Sequence, residues 1–433
     1  MSRLPAALRT YRLLSAAAAP LARLALSRRA KRGKEHGSRL AERRGLARLA
    51  RPDGSLIWLH GASVGELSSV LPLIERIVKR GIGVLVTTGT VTSSGLAEQR
   101  LPRGVIHQFV PLDVPNYVRR FLDHWRPDLA LFVESDLWPN IIIETSTRGV
   151  PIILVNGRLS ENSFRRWNYL RGSMVNLLQR FDLCLASTQA DAERLGAMGA
   201  PRVVTAGNLK LDVPAPPADR TELAALRDAV AGRPLIAAAS THAGEESVVI
   251  DAHRRLRANF PGLLTLIAPR HPERGPGVLE LAAVAGLKAG LRSRGALPDA
   301  ATEIYVADTM GELGLIYRLA PVVFIGGSLV RHGGQNPIEA AKLGAAILHG
   351  PHVWNFAEIY GALDQAHGAE PVADAEQLTA GLAAWLRDPV TRDRAAQAAR
   401  TTVENLSGAL DRTLASLEPY LMQLQLPGRA DHA

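Results

Sequence analysis

The sequence predicts an α/β protein with two doubly wound, Rossmann-like domains. Short apolar runs rich in Val, Ile and Leu recur along the chain, and most of them are followed by a helical pattern. Such runs are typical of parallel strands that are buried on both faces. A proline-rich stretch interrupts the alternation near the middle of the chain. With 433 residues, 47% of them hydrophobic and 21% charged, the composition is that of a soluble globular protein with two or three domains.

Twelve of these runs are predicted to be strands, seven before the proline-rich stretch and five after it. They are residues 56–60, 83–88, 106–110, 129–134, 151–156, 183–186, 203–207, 235–239, 264–268, 303–307, 322–325 and 345–349. We predict an arm at 1–50, a first domain at 51–210, a linker at 211–222 and a second domain at 223–433. Helices after about Asp374 are expected to complete the second domain and to cross back onto the first.

The net charge of +10 belongs to the arm. Residues 1–50 carry 13 Lys or Arg and 2 acids, which leaves 38 basic and 39 acidic residues for the rest of the chain. With only 5% aromatic residues and no aromatic and basic residues interleaved along the strands, nucleic-acid binding is not predicted.

The arm is predicted to form an amphipathic helix, kinked at Pro20, followed by the polybasic block SRRAKRGK. This pattern favours attachment to an anionic membrane surface. A signal peptide and a solvated tail are the alternatives. The uncharged stretch from Leu13 to Ala22 is too short to span a bilayer. The predicted apolar side contains Leu4, Leu8, Tyr11, Leu14, Ala18 and Leu21, and the opposite side contains Arg9, Arg12 and Arg23.

The segment HGASVGE at 60–66 joins the first predicted strand to a helix. Ser63 and Glu66 fit the capping-box pattern, in which the two side chains satisfy each other's backbone donors. A helix cap is therefore one interpretation of Glu66. The other is chemical, because ligands of open α/β sheets bind at the carboxyl ends of the strands.

The segment GGSLVRHGGQNPIEAA at 326–341 has the features of an anion site. Its glycine pairs would let a ligand approach the backbone, and Asn336 followed by Pro337 predicts a helix start with exposed amides. Arg270 and His271, which follow a neighbouring strand, would add charge and hydrogen-bond donors. Turn geometry alone is the alternative explanation of the glycines.

The motifs of several other functions are absent from the sequence. Neither a GxxxxGK loop nor a GxGxxG fingerprint is present, and the single Cys184 excludes a disulfide framework. The histidines at 271, 332, 349 and 352 lack a companion set at zinc-ligand spacing. Glu134 and Asp136 are only a faint metal-binding pair. No metal and no cofactor is predicted.

These motifs together resemble the 3-deoxy-D-manno-octulosonic acid (Kdo) transferases. The resemblance extends from the arm to about Ile359. It rests on HGASVGE, ESDLWPN, NGRLS, GNLKLD, STHAGEE, PRHPER, DTMGEL, GGSLV, GGQNPIEAA and GPHVWNF.

The resemblance implies a GT-B glycosyltransferase of lipopolysaccharide biosynthesis. Its N-terminal domain would bind a lipid A precursor, its C-terminal domain would bind CMP-Kdo, and the two would face each other across a cleft. Transfer would be inverting and metal-independent, at the cytoplasmic face of the inner membrane.

The resemblance also implies residue roles. Glu66 would be the general base that takes the proton of the acceptor hydroxyl. Arg270 and the amides near Asn336 would stabilise the departing phosphate. The full donor set is Ser240, Thr241, Arg270, His271, Met310, Gly311, Glu312, Gly334, Asn336 and Glu339. Lys210, Glu134 and Arg158 are candidates for the cleft, and a plain surface lysine is the alternative for Lys210.

The chain departs mildly from the family pattern. Gln335 stands where many members have His, Gly157 where Ala is common, and Ser135-Asp136 where Thr-Glu is common. Two other functions are left open. One is a GT-B transferase that uses another nucleotide sugar, and the other is a basic membrane-binding protein without catalysis.

Overall fold

The computed structural model describes residues 4–230 and 232–426. The chain forms two compact units. Unit 1 contains the chain as far as Val213 and resumes at Ser407, and unit 2 is Pro214–Leu406. Each unit is built on a seven-stranded sheet whose strands are all paired in parallel. The predicted α/β architecture with two parallel sheets is confirmed.

The sheet of unit 1 has the order β3-β2-β1-β4-β5-β6-β7. Chain order reverses between β1 and β4, which lie side by side. The strands are β1 Leu56–His60, β2 Gly83–Thr88, β3 Ile106–Phe109, β4 Leu129–Val133, β5 Ile152–Gly157, β6 Leu183–Ala186 and β7 Val203–Thr205.

Helices cover both faces of this sheet, so that alternate residues of a strand enter different cores. Leu59 of β1 packs in one core and Trp58 in the other. All five residues of β1 are buried, as expected for a central parallel strand. The helices of unit 1 are α1 Ala6–Ala17, α2 Ala19–Lys31, α3 Val64–Val78, α4 Val91–Arg100, α5 Pro115–Trp125, α6 Pro139–Thr147, α7 Glu161–Asn168, α8 Arg171–Leu178, α9 Gln189–Ala197 and, after unit 2, α18 Ala409–Gln425.

The sheet of unit 2 has the order β10-β11-β9-β8-β12-β13-β14, with its reversal between β8 and β12. Its strands are β8 Leu235–Thr241, β9 Leu264–Pro269, β10 Ala289–Leu291, β11 Ile304–Val306, β12 Val322–Ile325, β13 Ala346–His349 and β14 Ala369–Pro371. Its helices are α10 Arg220–Ala229, α11 Glu245–Leu256, α12 Gly275–Val284, α13 Leu313–Leu319, α14 Ile338–Lys342, α15 Ala357–Gln365, α16 Ala375–Arg387 and α17 Pro389–Leu406. Short 3₁₀ turns occupy Gly37–Arg39, Glu42–Arg44, Leu209–Leu211, Pro272–Arg274 and Arg292–Arg294.

All twelve predicted strands form, and the two that the sequence missed are β10 and β14. Both are three-residue strands at the edges of the second sheet. β14 is Ala-Glu-Pro, and a proline is compatible only with an edge or the end of a strand. Edge strands this short carry no hydrophobic pattern that could predict them.

The last helix, α18, belongs to unit 1. The sequence placed all of 223–433 in the second domain and expected its final helices to cross back onto the first. In the structure, Leu417 and Leu421 of α18 are fully buried in the core that contains α3 and β1. Unit 1 is therefore built from both ends of the chain.

The arm forms two helices that pack against the rest of unit 1. Leu8 and Leu26 are buried, the Tyr11 hydroxyl donates to Asp113 at 2.8 Å, and Arg12 pairs with Glu144 at 2.6 Å. The predicted division into one apolar and one basic side is therefore only partly right. Arg12 faces the protein, whereas Leu14 and Leu21 are 65% and 69% exposed. Among the described helices, none is long and apolar enough to cross a bilayer.

Candidate active site

In unit 1, the segments HGASVGE and ESDLWPN meet where chain order reverses. They follow β1 and β4, which pair from Ile57 opposite Leu129 to His60 opposite Phe132. The carboxyl ends of neighbouring parallel strands at such a reversal form the crevice in which open α/β sheets bind ligands. Glu66, Glu134 and Asp136 are thereby brought to one edge of the sheet.

Glu66 is held in a defined position at the start of α3. Its carboxylate accepts from the backbone N–H of Ala62 and from the Ser63 hydroxyl, both at 2.8 Å. Ser63 is the N-cap, and its oxygen accepts from the Glu66 amide at 3.3 Å. The predicted cap is present, although the carboxylate binds the amide of Ala62 rather than that of Ser63. Glu66 therefore takes part in the helix cap and at the same time has its carboxylate held in one orientation.

The environment raises the pKa of Glu66 above its usual range. Burial of the carboxylate is the largest cause, and the negative charges of Glu134 and Asp136 add to it. The hydrogen bonds from Ser63 and Ala62 act in the opposite direction. A carboxylate with a raised pKa is a stronger base, which suits it to proton abstraction near neutral pH.

Glu134, Lys210 and Arg158, the three candidates for the cleft, lie together in unit 1. Lys210 Nζ lies 2.6 Å from Glu134 Oε1, and the Arg158 amide donates to the Glu134 carbonyl at 3.4 Å. The side chain of Asn156 accepts from the Leu209 amide at 3.1 Å, which places GNLKLD beside NGRLS. Lys210 is therefore an ion-pair partner of Glu134 and not a plain surface lysine.

The sequence missed a hydrogen-bond chain that orients Asp136. Trp58 Nε1 donates to Thr87 Oγ1 at 2.9 Å, and Thr87 Oγ1 lies 2.9 Å from His60 Nδ1. His60 Nε2 lies 3.1 Å from Asp136 Oδ2. His60 is fully buried. Although burial on its own raises the pKa of Asp136, the contact with His60 lowers it overall, so Asp136 remains a fixed negative charge near Glu66. The histidine that ends the apolar run of β1 is the signal that could have indicated this.

A cavity of about 540 Å³ adjoins these residues in unit 1. Ala22, Ala25 and Leu26 of α2 line one part of it, and Trp138 lines another. Ala62, whose amide holds Glu66, and Asp136 also line it. The cavity is thus bordered both by the arm and by the turns after β1 and β4.

In unit 2, the turns after β8, β9 and β12 converge at the second reversal of chain order. The Arg270 amide donates to the Thr241 carbonyl at 2.9 Å, and Ser240 adopts a left-handed backbone with φ 56°. The His242 ring lies 4.2 Å from that of His332 and 6.1 Å from that of His271, measured between centroids. Ser240, Thr241, Arg270 and His271 are therefore brought together, and His242 and His332, which the sequence analysis did not select, join them.

The amides of the GGSLV loop are already used inside the protein. The buried Glu245 carboxylate accepts from the backbone N–H groups of Gly327, Ser328 and Leu329, at 2.7 to 3.0 Å, and from that of His242 at 2.9 Å. The expectation that this loop offers its backbone to a ligand is therefore wrong for Gly327. Its amides bind an internal carboxylate, which fixes the loop.

The GGQNP segment also differs in detail from the prediction. Helix α14 is only five residues long, and the Asn336 side chain accepts from the Ile338 amide at 3.0 Å and donates to Glu339 at 3.2 Å. Burial raises the pKa of Glu339. Gly333 has φ 91°, and a Cβ there would lie 2.5 Å from Trp354 Nε1, so backbone conformation and packing together explain that glycine without a ligand. Gly334 has φ 75°, and a Cβ there would lie 3.1 Å from Val353 Cα.

The DTMGEL turn follows β11. Met310 is 73% exposed and Gly311 has φ 84°. Arg292 donates to both oxygens of Glu312, at 3.0 and 3.2 Å, and Thr309 also donates to that carboxylate. Although burial on its own raises the pKa of Glu312, these bonds lower it overall. Glu312 is thus held in an ion pair, while Met310 remains accessible.

Comparison with known proteins places this architecture in a recognised class. A solved glycosyltransferase from Rickettsia africae superposes with a TM-score of 0.58 and 12% sequence identity, over 87% of this chain and 100% of that one. A likeness at this identity concerns the fold alone. The two parallel α/β units therefore have the fold of a GT-B type glycosyltransferase.

The sequence comparisons are more specific. Residues 38–213 match the family model described as 3-deoxy-D-manno-octulosonic-acid transferase (kdotransferase). The chain is 35% identical to the 3-deoxy-D-manno-octulosonic acid transferase of Bordetella pertussis, over 95% of this chain and 99% of that protein. It is 34% identical to the enzyme of the same name from Haemophilus influenzae, over 88% of this chain and 91% of that protein. The chain belongs to the Kdo transferase family, and the resemblance predicted from its motifs is confirmed.

Proposed function

We propose that this enzyme transfers Kdo from CMP-Kdo to a lipid A precursor, lipid IVA, in the biosynthesis of the lipopolysaccharide inner core. The observation that carries the proposal is the Glu66 carboxylate. It is oriented by Ala62 and Ser63 where chain order reverses in unit 1, in a chain of the Kdo transferase family.

Glu66 acts as the general base. A sugar hydroxyl is a poor nucleophile until its proton is removed as the new bond forms. The raised pKa of Glu66 makes its carboxylate a better proton acceptor than an exposed glutamate. Two hydrogen bonds fix its orientation, so the acceptor hydroxyl has to approach one defined position. Direct attack by that hydroxyl on the sugar of the donor gives inversion.

The acceptor is a lipid whose reacting sugar reaches Glu66. The cavity beside Ala62 and Asp136 is lined on its α2 side by Ala22, Ala25 and Leu26, which suit an apolar portion of the acceptor, and by Arg29, which can face a charged group. Four leucines of the two arm helices, at 13, 14, 21 and 24, are between 49% and 73% exposed. Together with the exposed basic residues that follow them, they support association with the anionic cytoplasmic face of the inner membrane.

The donor binds to unit 2. Arg270, which is exposed, and the neighbouring Ser240 hydroxyl are suited to a phosphate group. Thr241 is fully buried and its hydroxyl donates to Glu246 at 3.4 Å, so it contributes by fixing this turn. Negative charge grows on the departing cytidine monophosphate, and a cationic cluster stabilises it without a metal ion. We assign Met310 and Gly311 to contacts with the nucleotide, and Asn336 and Glu339 to contacts with its phosphate and ribose.

A transfer assay with donor competition tests this function. CMP-Kdo is generated in place and offered with a tetra-acylated lipid A precursor, and either CMP or UMP is added as a competitor. We expect transfer, with inhibition by CMP and little by UMP. Transfer from a uridine-linked sugar instead would replace this proposal with that of another GT-B transferase. Membrane binding without any transfer would favour a non-catalytic membrane protein.

A further inference from the structure

Three histidines from three different turns of unit 2 surround one small region. His242 follows β8, His271 follows β9, and His332 lies in the loop after β12. The rings of His242 and His332 are stacked, with 4.2 Å between centroids and 17° between planes. His271 meets His242 edge-on at 6.1 Å. Arg270 is adjacent in sequence to His271. Side chains that can be cations thus outnumber the acids that face them.

The acids near His242 are bound to other partners. Glu246 is buried, and both of its oxygens accept from Arg274, at 3.0 and 3.1 Å. Glu245 accepts four backbone amides, including that of His242 itself. Glu273 lies 3.9 Å from His271 on the exposed side. The charges that face the His242 ring are those of Arg270, His271, His332 and Glu246, with Arg274 behind Glu246.

This environment lowers the pKa of His242 to about 4. Burial is the largest cause, and the charges of His332, His271 and Arg270 add to it, against a smaller opposite effect of Glu246. Without a ligand, His242 is therefore neutral at physiological pH. An anion placed among these groups would reverse the balance, because it attracts the same positive charge that the neighbouring cations repel.

Gln335 contacts the nitrogen of His242 that a proton would occupy. Its amide nitrogen lies 3.1 Å from His242 Nε2, and it donates to that nitrogen when the ring is neutral. Once Nε2 is protonated it can no longer accept this bond, and its N–H can donate to another group. A histidine at 335, which the resemblance leads one to expect in many members, would instead bring a fourth imidazole to the cluster.

We propose that His242 takes up a proton when the phosphate of the nucleotide donor binds between His242, His271, His332 and Arg270. The proton comes from solvent and binds to Nε2 of His242. The contact with the Gln335 nitrogen breaks, and the protonated ring faces the phosphate. This inference rests on the proposed function, since it assumes that the donor is a cytidine monophosphate sugar. The added N–H also faces the phosphate as CMP departs and its charge grows.

The affinity for CMP should therefore depend on pH. Because binding takes up a proton, the dissociation constant rises as pH rises, by at most about tenfold per pH unit for one proton. Cytidine lacks the phosphate, so its binding should show no such dependence. The dependence reports on His242 alone only if it disappears when that ring is replaced.

Isothermal titration calorimetry of the full-length protein with CMP tests this. Titrations are performed at one pH in Tris and in HEPES, which differ in ionisation enthalpy. We expect the measured enthalpy to change with the buffer in the direction of proton uptake for CMP, and to be the same in both buffers for cytidine. His242→Gln should abolish the uptake and weaken CMP binding, whereas the control His36→Gln, in unit 1, should behave as the wild type.

NMR of the imidazole groups gives a second measurement that does not depend on the folding of a variant. In the wild type labelled at its 12 histidines, one ring should move from neutral to protonated on addition of CMP. Proton uptake that persists in His242→Gln would overturn the assignment, because the secondary phosphate of CMP would then be the acceptor. CMP binding without uptake would refute this inference and leave the proposed function intact. If CMP does not bind, the proposed donor is wrong and this inference falls with it.

Discussion

At the scale of single residues, strained backbone marks the strand ends that carry the candidate chemistry. Glu134, Asn156 and Ser240 are not glycines, yet each has a positive φ, between 54° and 60°. Such conformations are unfavourable and are retained where the surroundings hold them. The Glu134 carboxylate is bound by Lys210, and the Asn156 side chain by the Leu209 amide. In unit 1, this strain and the Lys210 contact hold the Glu134 carboxylate where its charge acts on Glu66.

The charge of Glu134 predicts a shift in the pH profile. Its negative charge raises the pKa of Glu66, so removing it in Glu134→Gln lowers that pKa. The ionised base then persists to lower pH, and the acid limb of kcat/KM moves to lower pH. In Lys210→Met, the Glu134 carboxylate loses the cation that offsets its charge. The pKa of Glu66 should therefore rise, and the acid limb of kcat/KM should move to higher pH.

The control for this pair of variants is Glu75→Gln, an exposed carboxylate on the same helix as Glu66. It should leave the acid limb where the wild type has it. The measurement is kcat/KM as a function of pH for all four proteins. Shifts of the same sign in Glu134→Gln and Lys210→Met would contradict this electrostatic account.

The sequence predicted only those site features that are local. The turn that holds Glu66 is visible in HGASVGE because strand, cap and helix are consecutive. His60 and Asp136, 76 positions apart, meet only because β1 and β4 are neighbours in the sheet. Glu245 and Gly327 are 82 positions apart in the same way. Such pairs need the strand order, which a hydrophobic pattern does not contain.

At the scale of elements, the two arm helices pack part of their surface against the protein and leave four leucines exposed. Replacing Leu13, Leu14, Leu21 and Leu24 with serine should reduce binding to anionic vesicles by at least about 100-fold, because each leucine loses over about 1 kcal/mol of apolar transfer energy. The fold should survive, because these side chains are exposed. Sedimentation with vesicles measures the change.

The matched control replaces four exposed apolar residues of unit 2 with serine. These are Leu281, Val284, Leu297 and Val390. The control should bind vesicles as the wild type does. Equal losses in both variants would show that exposed apolar area in general, and not the arm, determines membrane binding.

The turn at Gly45 joins the arm to the first sheet and depends on glycine. Gly45 and Gly81 have the same φ of 76°, but a Cβ at Gly45 would lie 2.0 Å from the Tyr117 carbonyl, whereas a Cβ at Gly81 would be in open space. Gly81→Ala should lower the free energy of unfolding by about 1–2 kcal/mol through backbone strain alone. Gly45→Ala should lower the free energy of unfolding by roughly 1–3 kcal/mol more than Gly81→Ala does, because its Cβ overlaps the Tyr117 carbonyl.

Thermal unfolding of the two alanine variants measures the difference. Because the φ angles match, the difference between them is assigned to the overlap with Tyr117. Equal midpoints would mean that the turn can shift away from α5 at little energetic expense, and the close packing at Gly45 would then be unimportant for stability.

At the scale of the whole molecule, the chain begins and ends in the same unit. Helix α18 fills the core of unit 1 with Leu417 and Leu421. Leu417→Ala should cost about 2–5 kcal/mol, because it leaves a cavity in a fully buried site. Met422→Ala on the same helix, where the side chain is 59% exposed, should cost less than about 0.5 kcal/mol. Urea denaturation of both variants tests this, and similar losses would contradict the packing described for α18.

The sequence predicted the two α/β domains because each has its own series of buried strands and a proline-rich segment between them. It also expected the last helices to cross back onto the first domain, as α18 does, but it counted them as part of the second. The hydrophobic pattern of that helix identifies an apolar face but not the surface that the face covers. The side on which a terminal helix packs depends on the shape of both cores, and this is available only in three dimensions.

The rate of Kdo transfer by Glu66→Gln decides whether Glu66 is the general base. Glutamine keeps the size of the side chain, and its one amide oxygen can still accept from Ala62, but it cannot accept the proton. We predict that kcat falls by about 10²–10⁴, the usual contribution of a general base, while CMP binding and the thermal midpoint stay at the wild-type values. Transfer by Glu66→Gln at the wild-type rate would contradict the account, because Glu66 would then be only the cap of α3.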